Sequence, residues 1–111
     1  MTSAYSFDSG ALIPAHVHLS GTGATEVIPS QPTAVITSII LADISGSGDT
    51  VLLDIYDGAT QTVIQKVATV PANGTYELPF DQLILKSQSL RATATTAGRI
   101  NVFANYVRPK R

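Results

Sequence analysis

Residues 36–79 read ITSIILADISGSGDTVLLDIYDGATQTVIQKVATVPANGTYELP, and residues 99–107 end the apolar part of the chain with RINVFANYV. Both stretches are runs of Val, Ile, Thr and Leu cut by Gly, Asp, Asn and Pro. Branched side chains are stiff at χ1 and fit a pleated surface, so these runs favour strands over helices. The breaks fall at the short spacing of an all-β sandwich, with no helical period between them. The stretch Thr33 to Asp43 is the longest expected strand. Val35, Ile39 and Leu41 occupy its odd positions and Ala34, Ile36, Ile40 and Ala42 its even ones, so both faces are apolar. Such a strand is either central in its sheet or covered on its outer face by another chain.

Working outward, Val51, Leu53 and Ile55 alternate on one face of the next strand, and Asp57-Gly58 is a hairpin signal leading into Gln61 to Val70. The segment Val70-Pro71-Ala72-Asn73-Gly74-Thr75 is a second sharp turn. Tyr76 to Phe80 and Gln82 to Lys86 are short, edge-like pieces around Pro79. Leu90, Ala92 and Ala94 share a face, as do Ile100, Val102, Ala104 and Tyr106. Upstream, Ala11 to Leu19 is extended, with Pro14 favouring a sheet edge, and Thr25 to Ile28 starts another strand. The expected fold is a single all-β domain: an antiparallel, jelly-roll-like β-sandwich of about eight strands with an extended N-terminal arm. Its divisions are residues 1–24 as arm and first edge strand, 25–107 as sandwich and 108–111 as a basic tail.

Composition narrows the function classes. The chain has 111 residues, 44% hydrophobic and only 14% charged, with a net charge of -1. A charge content below the usual quarter suits a surface partly covered by neighbours. The near-neutral balance argues against direct nucleic-acid binding, and Arg99, Arg108, Lys110 and Arg111 are too few cations to change that. With no cysteine, neither disulfides nor Cys-based metal sites are available. The apolar run Ile39 to Ala42 is too short to span a bilayer, so no membrane partner is expected. Met1 to Leu12 lacks the basic region and apolar core of a secretory signal, which points to synthesis in the cytoplasm.

Three segments together carry a resemblance: AVITSIILADISGSGDTVLLDI (34–55), VATVPANGTYELP (67–79) and LRATATTAGRINVFANYV (90–107). The progression resembles small β-sandwich structural proteins of tailed bacteriophages, whether capsid decoration (cement) or neck and tail components. The likeness covers Thr25 to Val107 and is one of strands and turns rather than of a catalytic signature. It implies a virion protein, made in the host cytoplasm, that holds the head together through repeated subunit contacts. The implied partners are the major capsid protein or neighbouring virion proteins and further copies of the chain, with a trimer as the favoured order. A neck, tail or fibre subunit is the alternative within that class.

Residues with chemical potential are few. His16 and His18 are two apart and share a strand face, so both imidazoles could approach one ion. In a trimer, three such pairs would resemble the iron site at some phage spike tips. No acidic ligand accompanies them at a fixed offset, and surface or interface histidines are the simpler expectation. Asp43, Asp49, Asp54 and Asp57 are spread over a strand and two turns, which suits turn capping by Asp49 and Asp57 better than a calcium loop. Gly46-x-Gly48 lacks the lysine and helix of a phosphate loop. Neither histidine lies in a hydrolase context, and Glu26 and Glu77 are the only glutamates, so no catalytic activity and no cofactor are expected. The expected subunit-interface residues are Tyr5, Phe7, His16, His18, Ile36 and Ile40. Outside the virion class, a carbohydrate-binding sandwich would need exposed aromatic platforms, for which Tyr56 and Tyr76 are the candidates.

Overall fold

The structure, a computed structural model, describes residues 12–79 and 82–108. Tyr5, Phe7, Lys110 and Arg111 therefore lie outside the described residues. Nine strands follow in chain order: β1 (Leu12–His18), β2 (Thr25–Gln31), β3 (Ala34–Asp43), β4 (Asp49–Tyr56), β5 (Gln61–Val70), β6 (Thr75–Glu77), β7 (Leu83–Leu85), β8 (Gln88–Ala94) and β9 (Ile100–Val107). No helix occurs among the described residues.

The strands pair in a nested order. β4 pairs with β5 around the tight Asp57–Thr60 turn, β3 pairs with β6 and β7, β2 with β8, and β1 with β9. The chain is thus doubled back on itself like one long antiparallel ribbon with its tip at residues 57–60. That ribbon then wraps, so that β9 gains β3 as a second neighbour and β8 gains β4. The result is two sheets, one ordered β1-β9-β3-β6 with β7 also on β3, the other ordered β2-β8-β4-β5. This is the arrangement of a jelly roll.

The turn at the ribbon's tip follows from its residues. The Asp57 carboxylate accepts from the Ala59 and Thr60 N–H groups, and Gly58 takes φ +99°. Between the sheets lies the core. Ile36, Ile39 and Leu41 of β3, Val51, Leu53 and Ile55 of β4, and Leu90, Ala92 and Ala94 of β8 are buried there. From β9 come Ile100, Val102, Ala104 and Tyr106, which fill the face that alternation assigns them.

β3 departs from simple alternation. Its pairing with β9 slips between Ile36 and Ser38, a β-bulge centred on Thr37, whose hydroxyl donates to the Asn105 carbonyl. One extra residue reverses the face of everything beyond it. Ala34 and Ile36 point inward before the bulge, and Ile39, Leu41 and Asp43 point inward after it. The sequence alone placed Ile36 and Ile40 together on an even-numbered face. The bulge instead seals Ile36 in the core with no exposed surface and turns the half-buried Ile40 outward.

This difference is measurable. Ile36→Ala removes a side chain from a closed core and is expected to cost about 2–5 kcal/mol. Ile40→Ala trims an outer-face residue and should cost about 1 kcal/mol or less. Urea unfolding followed by circular dichroism separates the two, and equal losses would contradict the bulge.

Candidate subunit interface

β1 lies at the edge of the first sheet with Ile13, Ala15 and Val17 packed against the core and Leu12, Pro14, His16 and His18 pointing outward. The strict alternation of LIPAHVH dictates this, and it keeps both histidines on one face. Both rings reach across to β9. The His16 ring stacks on Phe103 with centroids 4.5 Å apart and planes 6° from parallel. His18 Nδ1 donates to the Asn101 side-chain oxygen at 2.7 Å. Each imidazole is thus engaged with a neighbouring side chain instead of turning toward the other.

Across the sheet, His16 is in register with Phe103, Phe103 with Ile40, and Ile40 with Glu77. A second row joins Leu12, Val107, Val35 and Ile84. Leu12, Phe103 and Ile84 are exposed by 57%, 40% and 40%, whereas Val107 and Val35, between Leu12 and Ile84, are closed to solvent. Among the described outward-facing residues of these strands, Glu77 is the sole carboxylate, and none is Lys or Arg. The face is charge-poor, with its exposed apolar residues separated by the buried Val35 and Val107.

The outer face of the second sheet is chemically different. Asp54 of β4 is only 1% exposed although it points away from the core. Arg91 of β8 covers it, with Nε 2.9 Å from Oδ1 and Nη2 3.2 Å from Oδ2, and the Gln61 amide donates to Oδ2. The guanidinium lies 4.0 Å from the centre of the Tyr56 ring. Donating these hydrogen bonds to Asp54 raises the Arg91 pKa above its ordinary value, so the guanidinium stays charged. The cluster clasps β8, β4 and β5 together. It also occupies Tyr56, while Tyr76 packs partly against the core, so neither tyrosine is a free platform for a sugar ring.

At one end of the sandwich Asp43 ties two turns together. Its Oδ1 accepts from the Ser45 N–H (3.1 Å) and hydroxyl (2.7 Å), and its Oδ2 accepts from the N–H groups of Gly46 (2.9 Å) and Asn73 (2.8 Å). Gly48 completes the junction at φ +73°, where a Cβ would sit 2.7 Å from the Val70 carbonyl oxygen. Asp49 accepts from the Thr96 N–H at 2.7 Å. The aspartates thus direct their lone pairs at protein donors, and among the described residues no three His, Asp or Glu gather as a metal site.

Of the residues singled out from sequence, His16, His18 and Ile40 come together on one face, and Ile36 lies beneath it in the core. Phe103, Leu12 and Ile84 were missed. Alternation in RINVFANYV does place Phe103 opposite Ile100 and Val102, so its exposure was readable. The Asp54–Arg91 pair depends on the β4–β8 register, which no local pattern contains.

Comparison with known proteins bears on the fold. No protein-family model matches the sequence, and no curated protein is similar to it. Among solved structures, the chain is similar to a chain in the capsid asymmetric unit of cyanophage Pam1, with TM-score 0.52 and 16% identity over 98% of this chain and 93% of that one. It is also similar to a pentameric capsid protein isolated from metagenomic phage sequences, with TM-score 0.50 and 18% identity over 88% of this chain. The match spans 61% of the length of that pentameric protein. At these identities the shared property is the fold.

Two outcomes follow for the polar ties. The N–H of Asn73, then the Ser45 hydroxyl, hold the Asp43 carboxyl well below its ordinary 3.8. Its folded pKa is lowered, so its contribution is complete above about pH 5 and withdraws as pH falls through 3.8 toward the folded value. Asp43→Asn turns an amide NH2 toward N–H donors. It should lower the melting temperature at pH 7 and flatten the acid limb of a pH-resolved melting series. Arg91→Leu strands the Asp54 carboxylate and should cost about 1–3 kcal/mol. Adding Asp54→Leu should recover part of that loss in urea titrations.

Proposed function

We propose that this chain is a structural subunit of a virus particle, acting by cohesion between repeated copies and neighbours. The observation that carries the reading is the likeness of this two-sheet fold, over 98% of the chain, to a chain of nearly the same length in the capsid asymmetric unit of a cyanophage. The outer face of the β1-β9-β3-β6 sheet, which is poor in charge and exposes Leu12, Phe103 and Ile84, supports it. A sandwich with its polar ties at one end and across one sheet is a stiff building block, and symmetric repetition turns modest contacts into durable assembly.

The specific form we favour is a capsid decoration or cement protein that sits on the head and is partnered by the major capsid protein. Tyr5, Phe7, His16, His18 and Ile40 would then contribute to contacts between subunits. Residues 1–24 supply the attaching arm and first strand, and residues 108–111 a basic tail. A neck, tail or fibre subunit is the second reading, favoured by the strand-and-turn resemblance spanning Thr25 to Val107. The role is non-catalytic and needs no cofactor.

Quantitative mass spectrometry of purified particles from the encoding virus tests both readings. A decoration protein is expected in a copy number proportional to the major capsid protein, and a neck protein in about a dozen copies. Absence of the chain from washed particles would overturn the virion assignment.

A further inference from the structure

Asn73 is followed by Gly74, the only Asn-Gly pair in the chain, and such a pair can rearrange without an enzyme. Glycine has no side chain to shield its backbone nitrogen. That nitrogen can attack Cγ of the asparagine. The N–Cγ bond forms, the Cγ–Nδ2 bond breaks, and ammonia leaves with the proton that the glycine nitrogen gives up. Water then opens one of the two carbonyls of the resulting succinimide. One opening gives aspartate, and the other gives isoaspartate, whose main chain runs through the side-chain carbons.

The fold opposes the first step at the nucleophile and on both sides of it. Asn73 takes φ +57°, in the left-handed region, in the turn that joins β5 to β6. The Gly74 N–H donates to the Pro71 carbonyl at 3.0 Å. The succinimide nitrogen carries no hydrogen, so this bond and the ring exclude each other. Asp43 grips the pair at two further points. Its carboxylate Oδ2 accepts from the Asn73 N–H at 2.8 Å, and its own N–H donates to the Gly74 carbonyl at 3.0 Å. Asp43 is itself fixed, being buried at the end of β3 with Oδ1 occupied by Ser45.

The products fit this turn no better. Isoaspartate lengthens the main chain where space is already short, since a Cβ on Gly74 would lie 2.6 Å from Pro71 Cγ. The Asn73 Oδ1 lies beside Gly46, 3.6 Å from where a Cβ would stand, and the Gly46 N–H donates to the same Asp43 oxygen as the Asn73 N–H. A carboxylate formed at residue 73 therefore meets the like charge of Asp43. We infer that Asn73-Gly74 is a latent site of spontaneous deamidation, kept closed by the Asp43 clasp, and that a chain once modified there no longer closes it. Modification then proceeds only through opening of the turn, and its rate reports that local opening. The inference does not rest on the virion reading, because it concerns the purified chain alone.

Peptide mapping by mass spectrometry tests the inference on the full chain, incubated in mildly alkaline buffer and sampled over time. The folded wild-type chain should modify at Asn73 at least about tenfold more slowly than a synthetic peptide of residues 67–79 in the same buffer. Asp43→Ala should raise the rate in the folded chain by at least about fivefold, with circular dichroism confirming that the sandwich is retained. Where that variant does not fold, Ser45→Ala, which loosens the same carboxylate, is read in its place and should raise the rate in the same direction. Asp57→Ala cuts the comparable carboxylate tie at the other end of β4 and should leave the Asn73 rate unchanged. Three results would overturn the inference. They are a wild-type rate equal to that of the peptide, a rate unmoved by loosening Asp43, and an equal acceleration by Asp57→Ala, which would make global unfolding the gate.

Discussion

The antiparallel ladder between β3 and β9 is the constraint on which the molecule rests. These strands are neighbours in the centre of the first sheet although some sixty residues of chain separate them. Without that ladder the chain is a doubled ribbon of local pairs with one apolar side exposed. With it, the ribbon closes into two sheets and buries that side. The β4–β8 ladder performs the same closure in the second sheet. Both joining ladders run along strands that carry the core's largest side chains, so hydrogen bonding and apolar burial reinforce each other.

Closure leaves the strand ends and outer faces to be managed by polar groups. Asp43 gathers donors from the β3–β4 and β5–β6 turns, which lie beyond the ends of the β3–β6 and β4–β5 ladders. Asp49 reaches the β8–β9 turn in the same way, and Arg99 adds a donor to the Gly48 carbonyl. On the second sheet, the Asp54–Arg91 pair spans the strands from above, shielded by Gln61 and Tyr56. A buried carboxylate is costly unless its oxygens are occupied, and here every oxygen has a donor. The exposed edge at β5 is interrupted by two register shifts and carries Lys66, devices that discourage uncontrolled strand addition.

The two outer faces are therefore unequal. One is knitted by charge and hydrogen bonds, and the other is largely apolar and nearly uncharged. That inequality leaves one face braced by polar ties and the other held by apolar contacts and the backbone ladder alone. It also accounts for the low charge content of the whole chain, because charges are spent on ties and turns more than on covering surface.

Much of this was legible in the residues themselves. The β-branched runs, the Asp57-Gly58 and Pro71–Gly74 turns, and the inward faces of β4, β8 and β9 follow from local preference and a period of two, which need no partner strand. His16 and His18 sharing an outer face follows from the same period. What lay beyond reach depends on pairing between distant segments. The bulge at Thr37 exists only in relation to β9, and it alone decides that Ile36 is core while Ile40 is surface. The Asp54–Arg91 clasp and the row from His16 to Glu77 are likewise products of register. The sequence by itself determined which segments are strands and which side of most of them is apolar. Tertiary structure decided which strands are neighbours, because a ladder's hydrogen bonds are made by backbone groups that are the same in every residue, and only the closing of the roll selects among them.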